Sequence, residues 1–311
     1  MITRTLLVTG PAKIVRGGGI IYTQDDVAIN IIQTTTPIGS MAHGHINERA
    51  DSVTVEATFT PEGRWDALTR AFLWPYLATI PGTSLFGASD TPTLFHGSDG
   101  GLAIIHASAV MQMPSIFLSA AKTMIGPMTI GGVRKNGVDW STADSLVSCE
   151  PAGGTFADTT FTAAMIKVQD YTGAYIGTGL TAIKTEDGWT IDFNVESDPV
   201  RTDDGGILDY RYRTLQVVAR CIPTNPLPSE LIAGLTVQGA GAIRGRSLGV
   251  LASEDLVITG ADGTIPVTLK DAGMRTAGFR FGVSVLRTGE TGFVASRPFT
   301  TGAMANICVL A

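Results

Sequence analysis

The chain repeats itself, and that repetition limits its fold more than any other feature. Segments from one half of the 311 residues return in the same order in the other half, at spacings of 162 to 164 positions. Val27, Ile29 and Ile31 occupy alternate positions, and Ile191, Phe193 and Val195 do the same 164 positions later. Such period-two spacing places the apolar side chains on one face of a half-buried strand. Just upstream, Ile21, Thr23 and Asp25 return as Ile183, Thr185 and Asp187.

Two further segment pairs keep the spacing. The alternating run Ser52–Pro61 leads into Arg64–Leu73, where Trp65, Leu68 and Phe72 have helical spacing. The run Thr214–Pro223 leads likewise into Ser229–Leu235. Ala57 and Ala219 are 162 apart, and Leu68 and Leu231 are 163 apart. Pro61 and Pro223 end the strands, because proline cannot donate to a ladder. Asp66 and Glu230 then put an acid in each first helical turn, where the helix dipole favours it. In the third pair, Phe95–Leu102 and Ile258–Ile265 each set an Asp-Gly turn signal between apolar runs, at Asp99-Gly100 and Asp262-Gly263.

Three ordered pairs at spacings of 162 to 164 predict a mainly β protein, a tandem duplication of a β-sandwich or barrel module with one flanking helix per module. The first module spans residues 1–134 and the second 161–311. The stretch 135–160, rich in Gly, Ser, Thr and Ala, reads as a connecting segment. Each module carries a long polar stretch with Gly or Pro, Gln33–Ala50 and Glu196–Asp209, expected as a functional loop rather than strand.

Composition narrows the function. Charged residues are only 16% and hydrophobic ones 44%, with Gly at 37 positions, against about 25% charged in an ordinary soluble domain. A chain so poor in charge is expected to hide surface against copies of itself. No window offers the roughly 18 apolar residues of a membrane helix, and the N-terminal stretch is too short in apolar residues for a signal peptide, so synthesis in the cytoplasm is expected. Cys149, Cys221 and Cys308 are odd in number and far apart, which indicates buried small residues rather than disulfides or a metal site. Net charge of −6 has the wrong sign for a nucleic-acid binder.

On Asp25–Ile31, Val53–Leu73 and Gly97–Leu102, with their second copies at Asp187–Val195, Leu215–Leu235 and Gly260–Ile265, the chain resembles the major tail tube proteins of long, non-contractile-tailed (siphovirus-like) bacteriophages. That family stacks hexameric rings, and its two-module members form trimeric rings of pseudo-sixfold symmetry. The resemblance implies a virion structural protein of the tail, assembled in the host cytoplasm, whose rings form a conduit for DNA ejection. It implies self-association as stacked homotrimers and contacts with tape measure, tail terminator and baseplate proteins, without a membrane. A closed barrel of joined inner strands would leave no free sheet edge. The family's long loop packs on the adjacent ring, which assigns ring stacking to Thr36, Pro37, His43 and His45 in the first loop and to Asp198, Asp203 and Asp204 in the second. A DNA duct should repel its cargo mildly, so Asp99, Asp187 and Asp192 are the expected channel-lining acids, with Asp203 and Asp204 contributing on the same argument.

Catalytic and cofactor readings are weaker. His43, His45 and Glu48 lack a further ligand at metal-binding spacing. Asp203-Asp204-Gly205-Gly206 lacks the alternating acids and late Glu of a calcium loop. Gly17-Gly18-Gly19 precedes a strand, so it is no phosphate cradle. No cysteine has a nearby histidine in a recognisable nucleophile pattern. Neither enzyme activity, nor a metal, nor a cofactor is therefore expected. Trp65, Phe72, Trp74, Tyr76 and Trp189 read as packing residues. The rival from another class is a β-sandwich adhesion module that binds carbohydrate or a receptor, with exposed aromatic residues on one face.

Overall fold

Alternating apolar residues and Gly-bearing turns become antiparallel sheets throughout. A computed structural model describes residues 2–8, 12–16, 18–63, 65–73, 93–97, 102–106, 110–119, 125–135, 147–151, 171–175, 183–201, 207–224, 254–260, 266–281, 286–296 and 307–310. These residues are mainly strand, with one helix among them. The chain packs as two compact units. The first comprises Met1–Pro114, Pro127–Met165 and Glu196–Arg213, and the second Ser115–Gly126, Ile166–Val195 and Thr214–Ala311.

Two five-stranded sheets build the first unit, with strands numbered in chain order. One runs β1 (Ile2–Val8), β4 (Val27–Ser40), β5 (Gly44–Phe59), β10 (Met128–Lys135), β8 (Val110–Gln112). The other runs β11 (Val147–Pro151), β7 (Leu102–His106), β6 (Thr93–Gly97), β2 (Ala12–Arg16), β3 (Gly19–Tyr22). Ile14, Ile21, Val27, Ile29, Val55, Ala57, Phe95 and Ile130 are buried, the alternate positions that the strand spacing selects. The helix α1 (Ala67–Leu73) packs on β3 and buries Phe72 and Leu73. Gly19 permits that approach, since a Cβ there would lie 2.2 Å from the Phe72 backbone nitrogen. The expected acid of the first helical turn, Asp66, instead stands before the helix and caps it, its Oδ1 accepting the Thr69 N–H at 2.8 Å.

The second unit is built on one sheet that runs β12 (Tyr171–Tyr175), β15 (Glu254–Gly260), β16 (Val267–Phe281), β17 (Leu286–Ser296), β14 (Ile207–Pro223), β13 (Thr185–Arg201), β9 (Ile116–Leu118). β18 (Cys308–Leu310) pairs with the start of β16. Its core holds Trp189, Ile191, Val217, Ala219, Ile258, Leu269 and Phe293.

Pairings in the two units run in step. Phe95 lies opposite Ile104, and 163 positions later Ile258 lies opposite Val267. Ile130 opposes Ala57 on one side and Met111 on the other; Phe293 opposes Ala219 and Met274 in the same way. The Glu62 N–H donates to the Tyr22 carbonyl at 2.7 Å, and 162 positions later the Thr224 N–H donates to the Lys184 carbonyl at 2.9 Å. β16 spans the positions that β7 and β8 occupy separately, and it shifts register twice, between Met274 and Thr276 and between Ala277 and Phe279.

The two long stretches expected as loops are a correction. Gln33–Ala50 continues β4 and β5 as a two-stranded β-arm, with Thr36 opposite Arg49 and Pro37 opposite Glu48. Glu196–Arg201 and Ile207–Asp209 likewise extend β13 and β14. A ribbon with water on both faces needs no apolar alternation, so its strands carry no period-two signal. Proline in such a ribbon costs a single ladder bond, and the register shifts at Thr34/Thr35 and Ile38/Gly39 flank Pro37. Within 135–160, expected as a connection, Val147–Pro151 forms β11 on the edge of a sheet. The second helix expected at Ser229–Leu235 lies outside the described residues.

Candidate assembly surfaces

The first β-arm is exposed along its outer part. Every residue from Thr36 to Glu48 is exposed. Met41, apolar and at the tip of the turn, is fully exposed, and Ile38 and Ile46 are 47% and 59% exposed. Gly44 closes the turn with φ +66, a conformation that side chains with a Cβ resist. The Ser40 hydroxyl accepts the His43 N–H at 3.1 Å and lies 3.3 Å from His43 Nδ1. Thr36, Pro37, His43 and His45 therefore ride on an ordered ribbon, close in the chain to three large apolar side chains that polar spacing conceals. Single apolar residues inside a polar run are the one signal of them in the sequence.

In the second arm, Asn194–Pro199 is exposed, with Val195 at 36%. Asp198 stands 3.7 Å from Arg213 Nη1, an exposed pair worth little in water. Asp203 and Asp204 lie outside the described residues. All the large apolar side chains exposed among the described residues are aliphatic or methionine: Leu7, Ile38, Met41, Ile46, Leu68, Val195 and Ile222. Such side chains suit protein contact, whereas sugar recognition stacks on aromatic faces.

The expected channel acids divide. Asp99 lies outside the described residues. Asp192 is held within the second unit, where its carboxylate accepts the Ser115 hydroxyl at 2.6 Å and pairs with the Arg220 guanidinium. Arg220 Nη1 also reaches Glu290 at 3.8 Å. The hydrogen bond to Asp192, then that carboxylate's charge, raises the Arg220 pKa from its ordinary value. Paired in this way, Asp192 contributes less field to a passing polyanion than a lone acid would. Asp187 remains exposed and lines a shallow cleft of about 320 Å³ with Gly188, Thr190, Arg220, Cys221 and Glu290.

Cys221 borders that cleft but is poorly set up as a nucleophile. Burial first, and then the negative charge of Glu290, push its thiol up to about 12. The reactive species is the thiolate, so burial leaves roughly a thousandfold less of it at pH 8 than an ordinary thiol would have. Alkylation of Cys221 by iodoacetamide at pH 8, followed by mass spectrometry, should be at least a hundredfold slower in the folded protein than in urea. Comparable rates would place Cys221 in water. Cys308 is wholly buried and its thiol is raised by burial alone. Among the described residues, no group of three His, Cys, Asp or Glu side chains is disposed to hold a metal ion, and no helix is long and apolar enough to cross a membrane.

No protein-family model matches the chain, and a search of curated proteins finds no match to it.

Proposed function

We propose that the chain is a structural subunit that closes into rings of three copies, each copy supplying two like modules of a pseudo-sixfold circle. The rings stack into the tail tube of a long, non-contractile-tailed bacteriophage, through which DNA leaves the virion. The observation that carries this reading is the recurrence of strand pairing at spacings of 162 or 163, Phe95–Ile104 with Ile258–Val267 and Ile130–Ala57 with Phe293–Ala219. Two units with like strand pairing can join head to tail, and such heterologous joints generate closed rings when the rotation fits. The exposed aliphatic side chains of the first arm support a role in stacking. The low charge content and net −6 support a surface that binds itself and lets a polyanion slide. Its partners on this reading are other copies, the tape measure, the tail terminator and the baseplate, with assembly in the host cytoplasm.

Electron microscopy of the purified chain tests the reading, together with the mass of the smallest assembly by sedimentation. Rings with the mass of three chains, stacked into tubes, are expected. A discrete monomer at all concentrations would overturn it, and a monomer that retains a glycan would favour the adhesion module instead.

A further inference from the structure

The two units fill the same edge position with strands from different sources. In the second unit the edge of β13 is taken by β9, with Leu118 opposite Trp189, Phe117 opposite Thr190 and Ile116 opposite Ile191. β9 comes from the sequence between β8 and β10, which both belong to the first unit, so it is a strand lent forward along the chain. At the 162 spacing that carries the Glu62–Tyr22 bond onto Thr224–Lys184, Ile191 answers to Ile29 and not to Val27 as alternation alone suggests. In the first unit the corresponding positions of β4 are therefore Val27, Ala28 and Ile29. They are covered by the chain's own first strand, with Val8 opposite Val27, Leu7 opposite Ala28 and Leu6 opposite Ile29. Both edge strands run antiparallel to their partners.

A counterpart of β9 exists at the far end of the chain. Ile116 bridges to Ile125 on its other side, and 163 positions later Phe279 pairs with Thr288. Residues Phe279–Phe281 thus stand to β17 as β9 stands to the segment before β10. Among the described residues they pair with β17 alone.

We infer that β1 is a stand-in, and that in the assembled ring Phe279–Phe281 of a second copy takes its place on Val27–Ile29. This rests on the ring reading above and names its chain-to-chain joint. The joint would repeat between copies the strand loan already made within each copy, with Phe281 opposite Val27, Arg280 opposite Ala28 and Phe279 opposite Ile29. The exchange needs only Leu6–Val8 to lift, while Ile2–Thr5 stay paired with Asn30–Gln33. Three ladder positions are given up for three gained with the same polarity, so the backbone hydrogen bonds nearly balance. Leu7, 55% exposed, gives up little burial when it leaves. Until a second copy arrives, β1 covers an edge that would otherwise template unwanted pairing.

Two cysteine pairs in the full-length chain test this, in a background with Cys149, Cys221 and Cys308 replaced by alanine. Directly opposed strand residues lie within disulfide range. Leu7→Cys with Ala28→Cys locks β1 in place, and oxidation should cut ring formation at least tenfold, with recovery on reduction. Ala28→Cys with Arg280→Cys should give reducible, covalently linked species of two and three chains once rings form. The joint is overturned, with the ring reading intact, if rings form equally well from the oxidised locked variant or if the second pair never links chains within rings. If the unmodified chain forms no rings at all, the ring reading itself fails and the joint with it.

Discussion

Replacing Pro37–Glu48 by Asn-Gly will leave rings that form but no longer stack. The cut is drawn between Thr36 and Arg49, which face each other across the ladder, so a two-residue turn reconnects them without a change of register. Everything removed is exposed, and none of it belongs to the buried core of the first unit. Tm should therefore stay within a few degrees of the parent. The shortened chain loses Ile38, Met41 and Ile46, side chains whose burial against a neighbour is worth about 1–3 kcal/mol each. Three arms act together in one ring, so their loss multiplies through effective concentration rather than adding as three weak contacts. Sedimentation should move from long polymers to single rings at a protein concentration where the parent is almost wholly tubular. Tubes of unaltered length would remove the arm from the stacking contact.

Much of the sheet structure is legible in the sequence because one face of most strands is buried. Val27, Ile29, Val55 and Ala57 announce themselves by alternation, and Val217 and Ala219 repeat the pattern of Val55 and Ala57 in the second unit. The arms are silent for the opposite reason: with both faces wet, nothing selects the apolar positions, and Pro37, Gly39 and Gly44 resemble the punctuation of a loop. Ile116–Leu118 reads as a strand-like stretch and is one, β9, but its partner is silent, because β13 is remote in the chain. Its seat leaves one trace. Gly188 has φ +79, and a Cβ there would lie 2.1 Å from the Leu118 carbonyl oxygen, so a glycine that reads as a turn is also what lets β9 approach. Cys221 is legible as core once it is aligned with Phe59, which is buried at the corresponding position. The candidate acids are harder to read, because a carboxylate's partners, such as Ser115 and Arg220 on Asp192, come from elements far apart in the chain.

The largest loss of stability is expected at Trp189, and its repair should come from a residue on another strand. Trp189 is 1% exposed, and its ring centroid lies 5.9 Å from that of Phe293. It fits because Gly173 has no side chain: a Cβ there would meet the indole Cζ2 at 2.2 Å. In the first unit the positions that correspond by register are Val27 and Ile14, both wholly buried. Gly173 bridges to Ile183 as Ile14 pairs with Ile21, the counterpart of Ile183 in the first unit. One unit thus fills the space with two medium side chains and the other with a large one against none. Trp189→Val should destabilise the protein by about 3 kcal/mol or more, since the backbone of β12 cannot collapse into the gap. The loss is tempered because the buried indole N–H has no acceptor among the described residues, so its removal relieves a desolvation cost. Gly173→Ile alone should be comparably harmful through overpacking. Together they restore the pairing that the first unit uses, and a double-mutant cycle by urea unfolding should give a favourable coupling of about 2 kcal/mol. Simple additivity would mean that the two units pack their cores on different plans, whatever their strand registers share.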